Sequence, residues 1–407
     1  MQRSLTRITV ILCQCFFSVL ALFSVLGLVV LTVGINLVFA QSLVAANPTV
    51  SHVIQISVDG LRGDLLADLI ASEPLAYPNF KRLTDEGAAT FNARAGFFNT
   101  RTLPNHASMI TSRPVLQPAG MPDTTQHGWT LNSLSANSTV TLHDPRITNL
   151  PYVASTFDMA HDHGLSTAFY GGKGKFVVFD NSYNENNGAA DTIGADNGRD
   201  KIDTYVIDSS ANVQNQLVTN MQAANYNYIF LHYADPDGGG HDFGWGSPGW
   251  EATVQDVDGY LGELLNLIDT NASLQNDTAI ILTADHGGTP LGGHSDPFNP
   301  ENYTIPVMVW GEGVAAGVDL YHLNPDSRLD PGTGRPAFTD GWQPIRSGDT
   351  GNLALDLLGL GPIAGTLING QQDLSVAVPE PTTLILFGSV AVYFLTSRRR
   401  QRLSIDV

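Results

Sequence analysis

Three apolar segments end abruptly in carboxylates and imidazoles, and no other feature limits the possible folds as tightly. HVIQISV, residues 52–58, stops at Asp59; NYIFLHY, 227–233, runs into ADPDGGGHD; TAIILTA, 278–284, stops at Asp285 and His286. Near-continuous apolar runs of this length suit strands buried on both faces of a mainly parallel sheet. Helical patterns fall between them. In EATVQDVDGYLGELLNLIDT, the residues Val254, Val257, Leu261, Leu264, Leu265 and Ile268 recur at the three-four spacing of one helix face. YPNFKRLTDEG opens with Pro78 and closes at Gly87, the punctuation of a helix start and stop. The alternation predicts a layered α/β/α sandwich around a mainly parallel central sheet. Folds of this kind keep their ligands at the strand carboxyl ends, where these acids and histidines stand.

Residues 113–150 and 173–205 are rich in Gly, Asn, Asp, Pro and Ser and read as long excursions over that edge. With no internal repeat and no linker, one domain is expected over 47–370. The two ends are of another kind. Residues 1–40 carry Arg3 and Arg7, an uncharged apolar run over 8–39, and LVFAQS, where Val38 and Ala40 suit cleavage after Ala40. This is a signal peptide or, given the length of the run, an uncleaved N-terminal anchor. At the other end, VPEPTTLILFGSVAVYFLTSRRRQR places a Pro-Glu-Pro triplet before an apolar run over 384–395 and then Arg398, Arg399, Arg400 and Arg402. Such arginines stay cytoplasmic and leave the body outside. Segment 378–402 resembles the PEP-CTERM sorting signals of Gram-negative bacteria. The resemblance implies processing by an exosortase, membrane association through the termini, and delivery to the cell surface, outer envelope or extracellular matrix.

Cys13 and Cys15 both lie in the N-terminal run, so residues 41–378 have neither disulfides nor thiolate ligands. The net charge is −19. Without the six arginines of the ends and without Glu380 and Asp406, 14 basic residues face 37 acidic ones, a net −23 over 41–378. Nucleic acid is thereby disfavoured as a bulk polyanionic partner. An anionic substrate would need a strongly positive local centre, which bound metal ions supply.

Asp59, Asp237, His241, Asp285, His286 and His294 are ligand types for zinc-like ions. Two such ions side by side could activate a nucleophile and clamp a transferring phosphoryl group. Singly, each also fits an ordinary turn or polar loop; as a set they argue for metal. The segment FFNTRTLPNHASMITSR, residues 97–113, adds a hydroxyl. A strand-like run (Phe91, Ala93, Ala95) enters a Pro-Asn turn that opens a helix, with Thr102 at its start. A threonine there is either a helix cap or an oxygen held near an anion at the positive helix end.

In these motifs the chain resembles the alkaline phosphatase superfamily, in particular its type I phosphodiesterase and nucleotide pyrophosphatase branch, from Val53 to Trp310 with a continuation towards 370. ISVDGLRGD is similar to the first metal motif, TRTLPNHASMITS to the nucleophile motif, and HGWTLN to the segment bearing a phosphate-binding Asn. DPDGGGH matches an Asp-x-x-x-His pair and TADHGG an adjacent Asp-His pair. The resemblance implies an alkaline phosphatase-like fold and two divalent ions, zinc by family expectation. Asp59, Asp285 and His286 would hold one ion, which also meets Thr102. Asp237 and His241 would hold the other with a third histidine, His294, or His322 of DLYHLN as a fallback. Thr102 would attack phosphorus and form a phospho-threonine intermediate, while Asn132 and backbone N–H groups steady the phosphoryl oxygens. Lys173 is a candidate contact for an anionic end of the substrate.

The chain departs from the pattern in three places. His294 follows His286 by only eight residues, Leu103 stands where nucleotide-acting members carry an aromatic ring, and Trp129 is bulky for its motif. The expected function is exported two-metal cleavage of phosphodiester or pyrophosphate bonds in a small-molecule or polymer substrate. The alternatives are a phosphomonoesterase of the same superfamily and a non-catalytic surface scaffold retaining the fold. A sulfatase is disfavoured, because the Cys or Ser followed by x-Pro-x-Arg is missing. His106 reads as a structural residue; Lys175 and Lys201, like Lys173, are either contacts for an anionic end of the substrate or solvated surface lysines, and Tyr170, Phe176 and Phe179 either line a leaving-group pocket or pack the core.

Overall fold

The computed structural model describes residues 46–193, 198–223 and 226–378. The expected leader over 1–40 and the sorting signal beyond Val378 lie outside the described residues. The strands are β1 (His52–Val58), β2 (Ala88–Arg94), β3 (Thr167–Gly171), β4 (Thr204–Ile207), β5 (Tyr228–Tyr233), β6 (Thr278–Thr283), β7 (Thr304–Gly311) and β8 (Val318–Asp319). They form one sheet in the order β4-β3-β5-β1-β6-β7-β2-β8. β1 pairs in parallel with β5 and β6, and β3 with β5 and β4, whereas β7 runs against both β6 and β2.

β1, β5 and β6 match the three apolar runs to within a residue, and every residue in them is buried. Each buried Val, Leu, Ile or Phe contributes about 1.5–3 kcal/mol, so these central strands anchor the core. A polar residue within β1 has its partners: Gln55 donates to the Thr350 hydroxyl at 2.8 Å and accepts from the Tyr228 hydroxyl at 2.7 Å. The register sets Ser57 opposite both His232 and Thr283. Asp59 and Asp285, each two residues further on, therefore leave the sheet level with one another.

Side chains alternate across a strand, and the two faces of the sheet have different covers. Gln55 and Ser57 meet helices Asp349–Leu357 and Thr102–Thr111. On the other face Tyr233 donates to Gln214 of helix Ser210–Ala223 at 2.6 Å. That helix packs with Pro248–Thr270, the predicted amphipathic helix, whose six periodic apolar residues are all buried. It begins three residues earlier than the periodicity, because Pro248 sits in its first turn and the Ser247 hydroxyl accepts from Trp250 N–H. Helix Pro78–Asp85 also appears as expected, but its cap is tertiary. Asp258 of the long helix accepts from the N–H groups of Asn79 and Phe80 at 3.0 and 2.8 Å.

DPDGGGHDF is a helix, Asp235–Phe243, in spite of three glycines. A Cβ on Gly240 would lie 2.4 Å from the Trp245 ring; close packing demands the glycine there. The packed body continues past 370, since Leu374 and Val376 are buried and Val376 N–H donates to Asn47 at 2.7 Å. Among the described residues, no helix is long and apolar enough to cross a membrane.

Candidate active site

Thr102 is the first residue of helix Thr102–Thr111, and the cap position before it belongs to Arg101, in extended conformation. The entire helix is buried, with Thr102 only 1% exposed. Asn105 accepts from Gly96 N–H at 3.0 Å and donates to the Asp285 carbonyl at 2.7 Å, which joins the helix to the end of β6. His106 donates from Nδ1 to the Thr102 carbonyl at 2.7 Å and accepts at Nε2 from the Ser57 hydroxyl at 2.8 Å. It is the structural residue expected. The Asn132 side-chain oxygen accepts from Leu103 N–H at 3.0 Å, so Asn132 stands at the same helix end. Trp129 is fully buried and donates to the Leu131 carbonyl at 2.9 Å; its bulk anchors the loop that delivers Asn132.

The three carboxylates share a pattern. Asp285 accepts at Oδ1 from Gly60 and His286 N–H at 3.1 and 3.0 Å, while Oδ2 is buried without a hydrogen-bond partner. Asp59 accepts at Oδ2 from His232 and Lys173, at 3.1 and 2.6 Å, while Oδ1 has no partner. Asp237 accepts at Oδ2 from Lys173 at 2.5 Å, and again Oδ1 has none. The histidines mirror this. His286, His294 and His241 direct Nδ1 at the carbonyls of Gly287, Thr100 and Gly292, at 2.9, 2.7 and 2.9 Å. A carbonyl only accepts, so Nδ1 carries a proton, and in the neutral ring Nε2 is the nitrogen left to ligate.

The open atoms converge. His286 Nε2 lies 3.4 Å from Asp59 Oδ1, 3.2 Å from Asp285 Oδ2 and 4.0 Å from Asp237 Oδ1. His294 Nε2 and His241 Nε2 lie 3.7 and 3.4 Å from Asp237 Oδ1. Two groups offer ligand atoms all within 4.8 Å of one another: Asp59, Asp285 and His286, and Asp237, His286 and His294. Buried oxygens without donors beside bare imidazole nitrogens suit divalent cations with Asp and His ligands, and the second ring nitrogen of each histidine is oriented as metal ligands require. His294 stands in the cluster through a reciprocal tie, since the Thr100 hydroxyl donates to its carbonyl at 2.5 Å. His322 is exposed on the one-turn helix Leu320–Leu323 beside β8 and is not in the cluster.

Charge follows geometry. Burial, with the adjacent His294 ring disfavouring a second positive charge, lowers the His286 pKa to about 3, so this imidazole is neutral and ready to ligate. Burial and the nearby Asp59 raise the Asp285 carboxyl well above its ordinary range. Burial alone would raise Asp59 too, yet the Lys173 ammonium and the His232 hydrogen bond outweigh it and hold Asp59 low.

Some residues play parts that the sequence hid. His232 lay unremarked inside an apolar run; it accepts at Nδ1 from Gly172 N–H at 3.1 Å, so Nε2–H is what it donates to Asp59. Its only sequence signal is an imidazole one residue before a buried strand ends. Lys173, a candidate contact for the substrate, lies 2.6 Å from Asp59 Oδ2 and 2.5 Å from Asp237 Oδ2. Lys201 is no surface lysine: it is fully buried between Asp162 and Asp191, whose carboxylates neutralise it. Tyr170, Phe176 and Phe179 are core.

Among solved structures, murine ectonucleotide pyrophosphatase / phosphodiesterase 5 superposes with a TM-score of 0.51 at 16% identity, over 80% of this chain and 100% of that one. Its human counterpart does so at 0.51 and 14%, over 79% and 99%. The fold is therefore alkaline phosphatase-like. The sequence profile of the type I phosphodiesterase / nucleotide pyrophosphatase family matches residues 53–337, and the chain belongs to that family. Curated relatives include the GPI ethanolamine phosphate transferase 1 of Emericella nidulans, 33% identical over 104 residues, 26% of this chain and 11% of that protein. That of Candida glabrata is 34% identical over 94 residues, 23% and 10% of the two chains. The chain spans about a tenth of the length of these curated relatives.

Proposed function

We propose that the chain is an exported hydrolase that cleaves phosphodiester or pyrophosphate bonds with two divalent cations, zinc by family expectation, through a phospho-threonine intermediate. The supporting observation is the set of three carboxylates, each with one oxygen anchored and one buried without a partner, facing histidine nitrogens; the helix that Thr102 opens is tied to the Asp285 carbonyl through Asn105. Asp59, Asp285 and His286 would hold one cation, and Asp237, His241 and His294 the other. The ions supply positive charge for phosphoryl oxygens and lower the pKa of a bound oxygen nucleophile.

The chain's own groups do the rest. Thr102 presents Oγ1 at a helix N-terminus, where the dipole favours negative charge. Its oxygen gives up its proton and forms the bond to phosphorus as the ester oxygen leaves with its electron pair and takes a proton from solvent. Water then adds to phosphorus and releases a proton, the bond to Thr102 breaks, and the departing Thr102 oxygen takes up a proton to regenerate the hydroxyl. The Asn132 oxygen is held by Leu103 N–H, which leaves its NH2 to donate to a phosphoryl oxygen. Leader cleavage, exosortase processing and surface delivery belong to the same proposal; fractionation of cells producing the tagged chain checks them.

The test is hydrolysis of nitrophenyl mono- and diester phosphates by the full chain with zinc. Diester cleavage should fall about a thousandfold or more in Thr102→Ala and vanish on chelation. Monoester preference would move the reading to a phosphatase, and no turnover with no metal uptake to a scaffold. The curated transferase relatives motivate a second reading, passage of the phosphoryl group to an alcohol. Including an alcohol such as ethanolamine in the diester assay, and finding the mixed diester of that alcohol in place of the nitrophenyl monoester, would favour it.

A further inference from the structure

We infer that Lys173 is a positioning residue that ties the two halves of the metal centre together, and not a substrate contact. The inference rests on the two-metal reading of the site. Lys173 follows Gly171 and Gly172 at the end of β3, and its side chain is 20% exposed. Nζ is 2.6 Å from Asp59 Oδ2 and 2.5 Å from Asp237 Oδ2. These are the outward oxygens. The inward pair, Asp59 Oδ1 and Asp237 Oδ1, is the pair that is buried without partners and approached by His286 Nε2. One ammonium therefore anchors one carboxylate from each ligand set while both inner oxygens stay open.

The two carboxylates depend on it unequally. Asp59 Oδ2 has a second donor in His232 Nε2–H at 3.1 Å. Asp237, on the first turn of helix Asp235–Phe243, takes its hydrogen bond at Oδ2 from Lys173. Loss of the ammonium would free Asp237 to rotate, while Asp59 would keep His232. Groups that orient metal ligands from behind are typically worth about 10–100-fold in metal affinity. The geometry thus predicts an asymmetric loss, large at the Asp237 ion and small at the Asp59 ion. It also predicts coupling, because filling one half-site fixes the lysine that orders the other.

The experiment is calorimetric titration of zinc into the metal-stripped full chain, for wild type, Lys173→Met and Lys173→Arg. Cobalt absorption provides a second readout of ligand geometry. Expected in Lys173→Met is a loss of about 10–100-fold at one of two sites with the other little changed. Lys173→Arg, whose fork can still reach two carboxylates, should recover part of it; if Lys173→Met does not fold, Lys173→Arg should still show weakened, asymmetric binding. Unchanged affinities with a raised KM for a diester would overturn the inference and return Lys173 to the substrate. Tighter zinc binding in Lys173→Met would overturn it too, by making the lysine a competitor of the ion. A wild type that binds two zinc ions yet cleaves no ester would sink the proposed function alone, since the affinities still decide the role of Lys173. A wild type that binds no zinc would sink both.

Discussion

Each carboxylate of the site divides its oxygens between a protein donor and an open face, and each histidine divides its nitrogens in the same way. Position at strand ends made Asp59, Asp285 and His286 legible in the sequence as a set, because ligand-type residues recur after successive buried strands, although each alone fits an ordinary turn. His232 was not legible, since a histidine within an apolar run is indistinguishable from strand filling until its neighbours are known. His127 shows another buried imidazole, with Nδ1 accepting from Trp129 N–H and Nε2 beside the Ser108 hydroxyl at 3.0 Å each. Burial and the Arg113 charge lower its pKa to about 3. Its folded pKa lies below its unfolded value of about 6.5, so the unfolded chain binds the proton first. Stability is then full above pH 6.5 and falls towards pH 3, by about 1.4 kcal/mol per pH unit for each such group. Denaturant unfolding at pH 7 and pH 5 should show a smaller fall in His127→Gln than in wild type; equal falls would dismiss the assignment.

Helices and strands were read with unequal success, for reasons that differ by element. The buried strands were legible almost to the residue because apolar runs and polar stops coincide. DPDGGGHDF carries the opposite local signal, and its helix exists because Trp245 and the long helix pack closely against the glycine face. The helix puts Asp237 and His241 one turn apart, on one side, as ligands of a common ion require. Helix Pro78–Asp85 likewise starts on a partner's side chain. Asp258→Ala would leave the Asn79 and Phe80 N–H groups without their acceptor and should cost about 1–3 kcal/mol. The urea midpoint should drop accordingly, while diester turnover in zinc stays close to wild type. An unmoved midpoint would mean that water replaces the cap at no cost.

At the scale of the molecule, the charge balance and the site fit each other: a body with 37 acidic residues against 14 basic ones builds three carboxylates into one buried pocket. Cations that bind the folded state alone stabilise it by mass action, about 4 kcal/mol at a thousand times Kd. Chelation should therefore lower the melting temperature by several degrees, and zinc should restore it; a melting temperature indifferent to both would contradict a metal centre in this pocket. By itself, the sequence determined the layered α/β class, the central strands, Thr102 at a helix start and the family, because these depend on runs of neighbouring residues. Tertiary structure alone decided that His294 and not His322 joins the cluster, that His232 orients Asp59, and that Lys173 bridges Asp59 and Asp237. The last two pairings follow from the strand order, in which β5 lies between β3 and β1, and the first from the tie of His294 to Thr100. Order in a sheet brings together residues far apart along the chain, and no local pattern of polarity records it.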